Sequence, residues 1–218
     1  MKAVIFDMDG LLIDSEPMWK KAEKLVFSSV GVDVRDDLAV LTAPMTTKEV
    51  THFWYNLNPW ASKSMGSVEN EVIDCVESFI REKGEPMPGV AEVLDLFHKE
   101  GFKIGLSTNS PSRLIPAVLD KLGISDYFGA VTSADQVGQG KPRPNVYLST
   151  AMKLEVRPSA CIAFEDSVSG IMAARAAGLK TVVVPEAAEF DLQDYEIADL
   201  KLRSLSEFNR THLTQLRK

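Results

Sequence analysis

The sequence predicts an α/β fold, a parallel sheet clad in helices with a separate helical insertion, and three observations carry that prediction. Short apolar runs rich in β-branched residues alternate with segments of helical period over most of the chain. Gly101, Gly123 and Gly178 follow helical segments at the places where C-terminal caps belong. One stretch, from about Ser15 to Pro86, has helical periodicity and no convincing strand.

The strand-like runs are Ala3 to Phe6, Lys103 to Ser107, Ala130 to Ser133, Cys161 to Phe164 and Thr181 to Val184. Helical segments lie between them. Val90, Val93, Leu94 and Phe97 recur at i, i+3, i+4 and i+7, as do Ile115, Val118, Leu119 and Leu122. In the insertion, Val50, Phe53, Trp54 and Leu57 form one apolar stripe, and Thr46 with Glu49 makes a capping box at its start. Val72, Ile73, Val76, Phe79 and Ile80 outline a second stripe, and Met18, Ala22, Leu25 and Ser29 a third. Pro86-Met87-Pro88-Gly89 closes the insertion with a turn-rich linker suited to a hinge. There is no internal repeat and no low-complexity segment.

Composition sets the outer bounds. With 218 residues, the chain is long enough for one large domain or a domain with a sizeable insertion. Hydrophobic residues at 45% and charged residues at 25% describe an ordinary globular protein, neither disordered nor membrane-embedded. The net charge of −7, with no basic run, argues against a nucleic-acid partner. A small anionic ligand remains compatible, because a few local cations and backbone amides outweigh overall charge at short range. Met1-Lys2 leads directly into an apolar run without a charged-then-apolar leader, which predicts a cytoplasmic protein. Cys75 and Cys161 stand 86 positions apart, so spacing supports neither a disulfide framework nor a metal knuckle. Both are expected as small apolar core residues.

The chemistry concentrates where strands end. In AVIFDMDGLLIDS, Ala3 to Ser15, a buried strand finishes on Asp7 and Asp9, followed by Gly10. Acids at the C-terminal end of a parallel strand sit at the edge where α/β folds bind ligands. Residues at i and i+2 leave a strand on the same side, so the two carboxylates can face one crevice. Like charges there require a metal, a proton or a ligand. Taken alone, Asp-x-Asp reads equally well as a solvated turn. The run Cys161 to Phe164 repeats the theme, ending in Glu165-Asp166 before Ser167 and Gly170 open a helix. A helix cap is the plainer reading of that pair, and it is compatible with a metal role. Four oxygen-bearing side chains at one sheet edge suit Mg²⁺, which takes hard oxygen ligands and keeps waters and a phosphate oxygen.

Two further segments complete the set. GLSTNSPS, Gly105 to Ser112, ends a strand in a hydroxyl-rich turn before a helix, a setting that serves either as a cap or as a phosphate-oxygen site. It lacks the second glycine of a serine-hydrolase elbow, and His52, His98 and His212 fall in no matching pattern. Gly138-Gln139-Gly140-Lys141-Pro142 sets a lysine in a loop stiffened by proline. It is not a P-loop, since Asp135 stands where that motif needs Gly and Lys141 precedes Pro. Most lone lysines are solvated, but this setting suggests a placed cation between a carboxylate and a phosphoryl group.

Taken in order, FDMDG, the Thr108 turn, GKP and FEDS resemble the four motifs of the haloacid-dehalogenase-like hydrolases. With the helical insertion directly after the first motif, the chain resembles the β-phosphoglucomutase-like branch, and LLIDSEPMW and EDSVSGI are most similar to its hexitol phosphatase and 2-deoxyglucose-6-phosphatase members. The likeness covers nearly the whole chain. It implies a Rossmann-like core of residues 1–14 and 87–218, a helical cap domain of residues 15–86, and opening through hinges near Asp14-Ser15 and Pro86-Gly89. It also implies a Mg²⁺-dependent phosphatase of small sugar or polyol phosphates. The chain is expected to be a monomer without nucleic-acid or membrane partners. By resemblance Asp7 is the nucleophile and Asp9 the general acid, then the base for water. Asp7, the Asp9 main-chain carbonyl, Asp166 and Glu165 would form the metal site. Thr108, the Asn109 amide and Lys141 would hold the transferring oxygens.

Two comparisons narrow the class. The dehalogenases lack the second Asp, so Asp9 points to phosphate chemistry. The mutase has a histidine at the position of Trp19, and an indole cannot do its proton work, which favours hydrolysis. Trp19 is expected either in cap packing or as a wall for the substrate's carbon skeleton, with Glu16 accepting hydroxyl hydrogen bonds. Around Ala43-Pro44-Met45 the chain lacks the glycine and the basic residue usual in the family's cap loop, and Gln139 and Arg143 differ from the commoner neighbours of the GKP lysine. A phosphosugar mutase and a non-catalytic phosphosugar-binding protein are the alternatives.

Overall fold

The structure, a computed structural model, describes residues 1–217. Its sheet comprises β1 (Ala3–Phe6), β2 (Lys103–Thr108), β3 (Ala130–Ser133), β4 (Cys161–Glu165), β5 (Lys180–Val183) and β6 (Leu200–Lys201). The strand order is β3-β2-β1-β4-β5-β6 and every pairing is parallel. The five expected strands form, three of them (β2, β4 and β5) differing at their ends by one residue. β6 escapes sequence reading because two half-buried residues carry no periodicity.

The helices are α1 (Glu16–Ser29), α2 (Asp36–Thr42), α3 (Thr47–Leu57), α4 (Met65–Lys83), α5 (Val90–Lys99), α6 (Leu114–Leu122), α7 (Ala134–Val137), α8 (Asn145–Lys153), α9 (Val168–Ala176) and α10 (Arg210–Leu216). Alternation along the strands divides the core between two faces of the sheet. Val4 and Phe6 of β1 and Ile162 and Phe164 of β4 pack with Val93, Leu94 and Phe97 of α5. Ala3, Ile5, Cys161 and Ala163 face the other way, onto Val146, Tyr147 and Ala151 of α8 and Ala173 and Ala174 of α9. Phe6 stacks on Phe164 with ring centroids 5.0 Å apart, joining the two central strands directly beneath the acidic motifs.

Four helices, α1 to α4, occupy the stretch between the first motif and Pro86. The capping box forms as expected, with the Thr46 backbone N–H donating to Glu49 at 2.8 Å and the Glu49 N–H to the Thr46 hydroxyl at 3.4 Å. Two stripe assignments need correction. Leu57 is 56% exposed and Leu25 58% exposed, and the buried face of α1 is instead Ala22, Val26 and Phe27. A Met18–Ala22–Leu25 spacing satisfies helical period, yet the partner decides the face: Phe27 meets Trp54 at 6.2 Å and Trp60 at 6.1 Å. Cys161 is buried as expected, whereas Cys75 is only partly buried on α4.

The chain enters and leaves this helical stretch side by side. Ile13 and Pro86 form an antiparallel bridge, Asp14 N–H donates to Glu85 O at 3.1 Å, and Met87 N–H donates to Leu12 O at 3.0 Å. Both connections therefore leave the sheet close to Asp9. Among the described residues no helix is long and apolar enough to cross a membrane.

Candidate active site

The strand order reverses at β1, where β2 lies on one side and β4 on the other. Side chains leaving the C-terminal ends of these strands converge at such a switch point. Phe6 is level with Leu106 on β2 and with Phe164 on β4, and Asp7 N–H donates to Phe164 O at 2.9 Å. The register alone sets Asp7 beside Glu165. Oxygens of Asp7, Glu165 and Asp166 lie within 4.8 Å of one another. Gly10 makes the approach possible: it has φ +71°, and a Cβ there would overlap the Asp166 carboxylate. Gly170 does the same for Glu165, whose carboxylate occupies the space a side chain would take at the start of α9.

Lys141 reaches this cluster from the loop before α8. Its ammonium donates to Asp7 and lies 2.5 Å from Glu165 Oε1, with only 6% of the residue exposed. The placed cation read from GKP is thus a buried charge between two acids. Burial opposes its charge, but the Asp7 and Glu165 carboxylates outweigh that cost and hold Lys141 above the usual lysine range. The Asn109 side chain braces the loop, its Oδ1 accepting from Lys141 N–H at 2.7 Å and its Nδ2 donating to Lys141 O at 3.3 Å. Asn109 Nδ2 also donates to Pro44 O at 3.3 Å, which brings the Ala43-Pro44-Met45 loop onto the sheet edge.

One lysine does not neutralise three carboxylates. Burial, reinforced by Glu165 and Asp9 and opposed by Lys141, pushes Asp7 up to about 7. Burial with Asp7 and Glu165 nearby drives Asp166 well above the carboxylate range. Such a set of hard oxygen donors with excess negative charge fits a divalent cation of the Mg²⁺ type.

Asp9 points elsewhere. Its Oδ1 accepts from the Ser15 hydroxyl at 2.6 Å and from the Trp19 indole N–H at 3.0 Å, while Oδ2 accepts from the Ser110 hydroxyl at 2.6 Å. Its carboxylate therefore stands outside the Asp7, Glu165 and Asp166 trio. Trp19 was expected as wall or packing; it is also a donor to Asp9. Thr108 is buried at the end of β2, its hydroxyl oxygen accepting from Ser110 N–H at 3.0 Å. Glu16 forms an exposed ion pair with Lys20 at 3.4 Å and touches none of the cluster.

Three residues of the site were not singled out from sequence. Ser15 and Ser110 lie inside segments already flagged for their acids and hydroxyls, but nothing local says that both turn toward Asp9. Tyr147, whose hydroxyl donates to Glu165, sits six positions after Lys141 on α8 and has no motif signal.

A family description, haloacid dehalogenase-like hydrolase, matches residues 1–178. The chain is also 40% identical to hexitol phosphatase B of Escherichia coli (strain K12) over 213 residues, covering 97% of this chain and 96% of that protein. The chain belongs to the haloacid dehalogenase-like hydrolases. Within that family it is 35% identical over 183 residues to a fructose-1-phosphate phosphatase of the same organism, covering 83% of this chain and 95% of the relative. It is 28% identical over 216 residues to a β-phosphoglucomutase of Bacillus subtilis (strain 168), covering 95% of each. Among solved structures, CbbY from Rhodobacter sphaeroides with phosphate superposes at TM-score 0.88 over the full length of both chains at 23% identity, a likeness of fold.

Proposed function

We propose that this hydrolase is a Mg²⁺-dependent phosphatase of small sugar or polyol phosphates that works through a phosphoryl group carried on Asp7. The observation that carries the reading is the buried trio Asp7, Glu165 and Asp166 with Lys141 seated between Asp7 and Glu165. The names of the 40% and 35% identical relatives, a hexitol phosphatase and a fructose-1-phosphate phosphatase, support the substrate class.

Asp7, Asp166 and Glu165, with the Asp9 carbonyl, would hold the metal, which when bound neutralises charge on the cluster and on the phosphate. A carboxylate oxygen of Asp7 attacks phosphorus as the ester P–O bond breaks. The bonding pair leaves with the alkoxide, which takes a proton from Asp9. Asp9, now ionised, draws a proton from water as that water attacks the same phosphorus, freeing inorganic phosphate and Asp7. Lys141 offsets charge beside Asp7, while Thr108 and the Asn109 amide would orient the transferring oxygens.

We assign residues 15–86 as a cap that hinges at the paired connections around Ile13 and Pro86. Trp19, carried on the first turns of α1, links such movement to Asp9. An indole N–H donates and cannot accept a proton, which favours hydrolysis over mutase turnover. Release of phosphate from a panel of hexitol, hexose and glycolate phosphates with Mg²⁺ tests the reading; silence on every substrate would reject it. Asp7→Asn should abolish turnover while the protein stays folded, and wild-type rates in that variant would remove Asp7 from its role.

A further inference from the structure

We infer that Tyr147 is a positioning residue for Lys141, acting through Glu165. This rests on the phosphatase reading only for its kinetic consequence; the geometry stands independently of it. Glu165 is fully buried at the end of β4 beneath the start of α9. Its Oε1 receives two donors at once, the Lys141 ammonium at 2.5 Å and the Tyr147 hydroxyl. The second oxygen, Oε2, accepts from the Ser167 hydroxyl at 3.3 Å. Two of these groups belong to one short stretch: Lys141 precedes α8 and Tyr147 lies within its first turn.

The arrangement matters because Lys141 is divided between two acids. An ammonium shared by Asp7 and Glu165 is drawn toward whichever carboxylate carries the denser charge. The Tyr147 hydroxyl, by donating to Glu165 Oε1, takes part of that oxygen's hydrogen-bonding capacity and lowers its pull. Lys141 is thereby left available on the Asp7 side, where a phosphoryl group would develop charge. Tyr147 also restrains the Glu165 carboxylate from rotating, since its ring is packed with Val146 and Ala151 against Ala163 and Ala173. Lys141 lies 5.3 Å from the centre of the same ring, so the tyrosine bounds the ammonium on a second side. Among the described residues the Tyr147 hydroxyl hydrogen-bonds Glu165, so it acts on Lys141 through that carboxylate.

Tyr147→Phe keeps the ring and deletes the donor, and two measurements on the full-length protein decide the matter. In steady-state assays with Mg²⁺ and the best hexitol or hexose phosphate, kcat should fall about tenfold with KM within about twofold. In NMR spectra of protein labelled with ¹⁵N at lysine Nζ, recorded without metal or substrate, wild-type Lys141 should give a slowly exchanging ammonium signal. That signal, assigned by its loss in Lys141→Met, should shift or broaden in Tyr147→Phe. An unchanged ammonium signal overturns the inference whatever the activity shows. A shifted signal with unchanged kcat likewise overturns the catalytic consequence, and a lower melting temperature as the sole effect identifies plain packing.

Discussion

Removing the metal should make this protein's stability depend steeply on pH, in a direction opposite to that of an ordinary ion-paired carboxylate. Asp7 has an ordinary value of 3.8 and is pushed up to about 7 in the fold by burial and by Glu165 and Asp9, even with Lys141 in contact. The folded, metal-free state thus holds its proton more tightly than the unfolded chain does. Below about pH 4 the carboxyl is protonated in both states and costs nothing. As pH rises, the unfolded chain ionises first, and the folded state is destabilised progressively until Asp7 itself ionises near pH 7. A displacement from 3.8 to about 7 corresponds to roughly 4 kcal/mol at about 1.4 kcal/mol per tenfold in proton affinity. Asp166 shifts in the same direction and adds to the effect. Glu23, also raised to about 7 by burial and by Glu16, contributes with the same sign from α1. Mg²⁺ separates the cluster from Glu23, because a cation bound by ionised carboxylates stabilises the fold only where they are ionised. Urea denaturation of the chelated and the Mg²⁺-loaded protein at pH 5 and pH 8 measures this. At a concentration about a hundred times its Kd, Mg²⁺ should add on the order of 2.7 kcal/mol at pH 8 and far less at pH 5. Equal stabilisation at both values, or a flat profile for the chelated protein between them, would refute the idea that Asp7 and Asp166 share one desolvated cation site.

Gly10→Ala should reduce Mg²⁺ affinity, measured by calorimetry, at least tenfold, since its Cβ would displace the Asp166 carboxylate and the backbone is already at φ +71°. Unchanged affinity would mean that Asp166 is not a ligand. Trp19→Phe keeps the ring and removes one of the three side-chain donors on Asp9. The expected result is a three- to tenfold loss in kcat with KM little changed, because the indole N–H helps to orient the Asp9 carboxylate. A loss confined to KM would instead make Trp19 a wall for the substrate.

Why the predicted face of α1 failed while the strand ends succeeded is a matter of how far each signal reaches. Alternation and acid pairs are local: Ala3 to Phe6 followed by Asp7 and Asp9, or Cys161 to Phe164 followed by Glu165 and Asp166, declare a buried strand emptying into charge without reference to anything else. Helical period is also local, but it leaves the buried face undetermined within a rotation. Packing against Trp54 and Trp60 turned Phe27 inward and left Leu25 in solvent.

The positions of five strands along the chain and the chemistry of their ends were therefore written in the sequence, because each depends on neighbours one or two residues away. The convergence was not. Asp7 and Glu165 meet through the parallel register of β1 and β4, across more than a hundred and fifty residues of intervening chain. Two donors on Asp9, Ser15 and Trp19, come together at the start of α1, the third, Ser110, comes from the turn after β2, and the hydroxyl on Glu165 comes from Tyr147 on α8. Which donor finishes beside which acid is a question of three-dimensional distance, and only the folded sheet, by reversing its strand order at β1, brings those distances to hydrogen-bonding length.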